Sequence, residues 1–144
     1  MKYIVYGDPG IIDEEFNDSP FSLKKDLKGI SKEVQNKILE NIANDLYNAE
    51  NGKPLIKLYV CTHCIHIFCI KLRVADEERD NGKSGGYRAI VLVNEKDCYA
   101  FLLHLYRHSH GEKDNISKQA KNRIVKIVDS YYDALSKGGY LNEH

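Results

Sequence analysis

The chain is expected to be one α+β domain over residues 1–144, with an N-terminal strand and a helical hairpin packed on an antiparallel sheet and a C-terminal helix. Three observations lead there. The length, 144 residues, suits a single domain and can bury roughly two thirds of the unfolded chain's surface without a metal or disulfide. The apolar residues recur every three or four positions early in the chain, every two in the middle, and every three or four again at the end. Neither an internal repeat nor a composition shift divides the chain.

Taken in order, residues 2–6 (KYIVY) are short, β-branched and aromatic, and Gly7-Asp8-Pro9-Gly10 ends them, so they read as a strand. Ser19-Pro20 reads as a helix entry. Two helical pieces follow, divided near Gly29; the second starts from Ser31 as N-cap and runs to about Ala49. Its residues Val34, Ile38, Leu39, Ile42, Leu46 and Ala49 line one face, and Asn51-Gly52 with Pro54 stops it. Residues 55–74 form a β-type stretch too long for one strand, so two strands or a bend near Thr62-His63 are expected. Residues 76–86 (DEERDNGKSGG) read as a loop, 87–94 (YRAIVLVN) as a strand, 95–97 as a tight turn and 98–106 (CYAFLLHLY) as another strand. Short connections imply antiparallel neighbours. Ser117 caps a last helix whose inner side carries Ala120, Ile124, Ile127, Val128, Tyr131 and Leu135, ended by Gly138-Gly139.

Apolar residues make up 42% and charged residues 29%, which excludes a disordered or low-complexity protein. No apolar run approaches the roughly 18 residues of a membrane span, and MKYIVYGDPG has no signal-peptide core, so a soluble, cytoplasmic protein is expected. The 21 basic and 21 acidic residues cancel, which argues against indiscriminate nucleic-acid binding. Their distribution is uneven: residues 1–20 carry a net charge of −4, and 117–128, with Lys118, Lys121, Arg123 and Lys126, a net of +4. An anionic ligand belongs nearer the second segment.

CTHCIHIFC (61–69) invites zinc, but no second pair at metal-ligand spacing follows, and in an extended strand Cys61 and Cys64 would face opposite sides. Buried thiols acting as small apolar residues fit better, and neither metal nor cofactor is expected. A different constellation is more suggestive. Lys71 and Arg73 share a strand face, Arg88 follows Gly85-Gly86-Tyr87 on the next strand, and His104, Tyr106 and His108 share a face on the one after, with His110 just beyond. On residue types alone, a solvated sheet face and edge explains them better.

These residues also carry a resemblance. IKLRVADEERDNGKSGGYRAIVLV followed by LLHLYRHSHGEKDNIS and a basic amphipathic helix, about residues 70–135, resembles the RelE/HigB toxins of bacterial toxin–antitoxin pairs. The resemblance implies a compact α+β toxin, shaped like the microbial ribonucleases, that cleaves mRNA, usually on the ribosome, and is neutralised by an antitoxin protein. The chemistry it implies is metal-independent attack of a ribose 2′-hydroxyl on the adjacent phosphate, which needs a base, an acid and cations for the phosphorane. Carried onto this chain, Arg88 matches the GGxR arginine that would grip the phosphate, and Lys71 the basic strand. His108 or His110 stands where relatives carry a lysine and would transfer the proton. Arg73, Lys83, Tyr87, Tyr106, Lys113 and Lys118 would contact RNA, the tyrosines by stacking. Residues 76–80 (DEERD) net −3 where relatives are basic, which weakens docking on ribosomal RNA. Two alternatives share the fold: a ParE-like gyrase inhibitor, and a non-catalytic member that binds RNA or protein.

Overall fold

The computed structural model describes residues 2–7, 22–50, 52, 54–75, 86–107 and 116–138. Their elements are β1 (Ile4–Tyr6), α1 (Leu23–Asp26), α2 (Lys32–Glu50), β2 (Ile56–Val60), β3 (Ile67–Val74), β4 (Tyr87–Asn94), β5 (Tyr99–Arg107) and α3 (Lys118–Lys137). The α+β expectation holds, and the stretch from residue 55 does break into two strands around Thr62-His63. The Ser19-Pro20 helix entry, residues 76–85 of the loop and the residues beyond Gly138 lie outside the described residues.

Helix α2 forms where its apolar period predicts. The Val34 N–H donates to Ser31 Oγ at 3.3 Å, satisfying one of the donors that a helix start leaves open. Ile38, Ile42 and Leu46 are buried on the face presented to the sheet, with Val34 and Leu39 beside them. The first arm of the hairpin, by contrast, is described only as the single turn α1. Gly29, at φ +84°, makes the reversal between the two, a left-handed conformation that a side chain would strain.

The sheet order is β1-β5-β4-β3-β2. Strands β2 to β5 pair antiparallel with their chain neighbours, whereas β1 pairs parallel to β5, Ile4 opposite Tyr99 and Tyr6 opposite Phe101. Helices α1 and α2 cover one face, over Phe68, Ile70, Leu72, Val74, Ala89, Val91 and Val93. Helix α3 covers the other, over Ile67, Cys69, Ile90 and Leu92. Every residue of β4 is buried, which explains its nearly unbroken apolar run: a strand covered on both faces has no solvent side to alternate with.

Strand β5 starts one residue later than its sequence suggests. Cys98 adopts φ +58° and closes the β4–β5 turn, so the strand begins at Tyr99. A bulge follows. Val91 lies opposite Leu102 but Ile90 lies opposite His104, leaving Leu103 as the extra residue. Ser117 caps α3 as expected, its Oγ accepting from the Ala120 N–H at 3.1 Å, and Gly138 closes the helix in right-handed rather than left-handed geometry. Tyr59 bonds Asp129 at 3.1 Å and Tyr131 meets Asn94 at 3.0 Å, so α3 runs back along the sheet from the Arg88 end of β4 toward the Asn94 end. None of the described helices is long and apolar enough to cross a membrane.

Candidate functional site

The pairing register lays out the cationic residues without ambiguity. Arg73 lies opposite Arg88, and Arg88 opposite Tyr106, a row across three strands. The next row is Lys71, Ile90 and His104. Residues directly opposite in a sheet project from the same face, and Ile90 and Tyr106 belong to the cluster under α3, so both rows lie on the α3 face. The β5 bulge makes this possible. In an unbulged strand, His104 would fall opposite Ala89 and Leu105 opposite Arg88, putting the imidazole on the far face. One extra residue reverses the alternation from that point on, and it carries His104 and Tyr106 to the side of Arg88.

The environments of the three cations differ. Arg73 is exposed and Lys71 half-buried, while Arg88 is 2% exposed and among the largest buried side chains. Its Nη1 reaches the Tyr87 carbonyl at 3.5 Å. A guanidinium stays charged in any protein environment, so this is a fixed positive charge set into the end of the sheet. Placing Arg73 directly opposite it sets like charges against each other, an arrangement that disfavours pairing. Lys118 and Lys121 stand in the first turn of α3, where the helix dipole is also positive, and no acidic residue offsets them there. Each feature concentrates positive charge on this face.

At the rim of this face His104 Nδ1 lies 2.7 Å from Asp26 Oδ2, the last residue of α1, and the same oxygen accepts the Leu105 N–H at 3.1 Å. The His104 ring stacks on Tyr106 with centroids 5.0 Å apart and planes 26° from parallel.

Of the residues singled out from sequence, Lys71, Arg73, Arg88 and Tyr106 are therefore brought together, and Lys118 begins the helix that covers the same face. Tyr87 is not. It projects to the α1–α2 side, 4% exposed, with the Arg107 guanidinium 4.5 Å above its ring and Arg107 Nη2 donating to its hydroxyl at 2.8 Å. A ring so covered offers no face to a base. Lys83, His108, His110 and Lys113 lie outside the described residues. Asp26 was missed altogether, and His104 was seen only as part of a strand face. The 78 residues between them leave no signal at helical or strand spacing.

The cysteines occupy a different place from the one their motif suggests. Cys61 and Cys64 flank a turn, where the Cys61 N–H donates to the Ile67 carbonyl and the Ile67 N–H to the Cys64 carbonyl. Both therefore face the α3 cluster rather than opposite sides. All four cysteines are free thiols, and burial pushes the Cys69 thiol far up. No three His, Cys, Asp or Glu side chains among the described residues converge as metal ligands. A cleft of about 500 Å³ between β1 and α2, lined by Lys2, Tyr3, Glu40, Ala43, Asn44 and Tyr47, contains none of the candidate residues.

A four-stranded antiparallel core with a parallel N-terminal edge strand, helices on both faces and a cationic row beside an imidazole describes a small α+β toxin-like domain. The family comparison agrees: the model of the RelE toxin of the RelE/RelB toxin–antitoxin system matches residues 67–139, from the start of β3 through α3, and the chain belongs to that family. Comparisons with curated proteins and with solved structures give no match. The protein is thus a toxin of the toxin–antitoxin class, and its family implies an antitoxin partner.

Proposed function

We propose that this toxin is a cytoplasmic endoribonuclease that cleaves mRNA, on the ribosome, by attack of a ribose 2′-hydroxyl on the adjacent phosphate. The observation that carries the reading is the row Arg73, Arg88, Tyr106 with Lys71 alongside: three cations on one sheet face, the charge a phosphate would meet, beside an aromatic ring able to stack a base. In this reading Arg88 and Lys71 stabilise the phosphorane, Arg73, Lys83, Lys113 and Lys118 hold the RNA backbone, and His108 and His110 supply proton transfer near the leaving oxygen. The purified toxin, added to ribosomes translating a reporter mRNA, should yield fragments ending in 2′,3′-cyclic phosphate and 5′-hydroxyl. Lys71→Ala and Arg88→Lys should each slow cleavage about 10²-fold, the usual cost of removing one oriented donor to a developing anion.

The burial of Arg88 favours a second reading, in which the guanidinium is structural and the toxin acts by binding a protein target such as gyrase. Growth arrest that persists with intact reporter mRNA would establish that alternative and overturn the ribonuclease.

A further inference from the structure

The Asp26–His104 contact has a chemical consequence beyond joining α1 to β5. Asp26 Oδ2 already accepts the Leu105 N–H, which fixes the carboxylate against the β5 backbone. An ionised carboxylate only accepts, so the His104 nitrogen 2.7 Å away is the one that carries the proton. The neutral imidazole then holds its lone pair on Nε2. Stacking on Tyr106 fixes the ring plane, and the bulge at Leu103 aims the ring to the face of Lys71 and Arg88. The two side chains are 20% and 15% exposed, which limits competing water at the pair. Among the described residues, the groups that face the ring or share its rows include Asp26 from α1, Lys71 from β3, Arg88 from β4 and Tyr106 from β5.

We propose that His104 is the general base of RNA cleavage and that Asp26 is its positioning residue, an inference that rests on the ribonuclease reading above. His104 Nε2 takes the proton of the 2′-hydroxyl as the O2′–P bond forms. The P–O5′ bond breaks, and O5′ leaves with the proton that the reading above assigns to His108 or His110, giving the cyclic phosphate and the 5′-hydroxyl.

The alternative is a latch that only holds α1 in place. Four variants and one additive separate the two on the ribosome-bound reporter mRNA, with thermal melting to confirm folding. His104→Gln should slow cleavage at least about 10²-fold and abolish the loss of rate on acidification that a protonating base imposes. Asp26→Asn should cost about tenfold or more, because a neutral amide no longer stabilises the imidazolium that forms as Nε2 takes the proton. Asp26→Glu should recover part of that loss. His104→Ala should regain activity with added imidazole, which no latch would predict. Wild-type cleavage matched within twofold by folded His104→Gln would overturn the proposal alone, as would losses without imidazole rescue and with an unchanged pH profile. A wild-type protein that cuts no RNA would overturn the ribonuclease reading and this assignment with it. Should His104→Ala fail to fold, the pH profile of His104→Gln decides.

Discussion

At the scale of single residues, the pair Arg73 and Arg88 combines a structural cost with a proposed use. Two guanidinium groups directly opposite across β3 and β4 repel, and only one of them is exposed to solvent. Arg73→Leu should therefore stabilise the free protein, by roughly 0.5 kcal/mol on the scale of cross-strand pairs, while weakening RNA binding. Denaturant midpoints and binding curves measured on the same variant would show the two effects moving in opposite directions. If both fell, Arg73 would be a stabilising residue and not part of an anion site. Cys69 gives a second check. Burial raises its thiol far above the ordinary range, so at pH 8 it should remain unmodified by a thiol reagent in the native protein, as read by peptide mass mapping. Cys64, only partly covered, should react first. These residues also show what a sequence can tell. That Lys71 and Arg73 share a face follows from the strand period, and the structure agrees. That Tyr87 and Arg88 must part follows from the same rule, yet the motif GGYR groups them. Asp26 was invisible because nothing local marks a carboxylate whose partner lies 78 residues away.

At the scale of elements, the clearest lesson lies in β4 and β5. The residues of β4 show its limits because Gly86 and the turn after Asn94 bound a buried run. The β5 strand is equally plain in kind, but its register is not. Leu102 and Leu103 are both apolar and fit either face, so the bulge that swings His104 and Tyr106 to the α3 side is decided by tertiary packing. The parallel pairing of β1 with β5 is similarly hidden, since it brings together residues almost a hundred positions apart in a three-residue strand. Helix α3, in contrast, was legible from cap to inner face, and it supplies a prediction at this scale. Burial raises the Tyr131 phenol above its ordinary value near 10, although the Asn94 amide donating to the hydroxyl at 3.0 Å opposes the shift. The fold thus favours the protonated ring. Its contribution is fully present below the unfolded value of about 10 and fades as pH climbs beyond it toward the folded value. Denaturation midpoints should fall more steeply above pH 10 in the wild type than in Tyr131→Phe. Equal slopes would mean that the α3 anchor on β4 does not sense this ionisation.

At the scale of the whole molecule, the balance of 21 basic and 21 acidic residues makes the site's electrostatics local. A protein with a strongly positive total draws in any polyanion, and its affinity collapses with salt over a wide range. Here long-range attraction is absent, and the acidic N-terminal segment opposes it. In the ribonuclease reading, binding of RNA then depends on individual cations and not on the total charge. If Lys71, Arg73, Lys83, Arg88, Lys113 and Lys118 each neutralise one phosphate, single-stranded RNA should show a slope of about −4 for log K against log[salt], from roughly 0.7 per contact. Arg73→Ala should lower the magnitude of that slope by about 0.7, and so should Lys118→Ala if the first turn of α3 joins the path. A slope near −6 would mean that contacts spread well beyond this face. A slope near zero would mean that the row meets no phosphate at all. The antitoxin provides an independent measure of the same surface. An acidic antitoxin that covers this face should compete with RNA with a matching salt dependence, whereas one that binds the β1–α2 cleft should leave RNA binding unchanged.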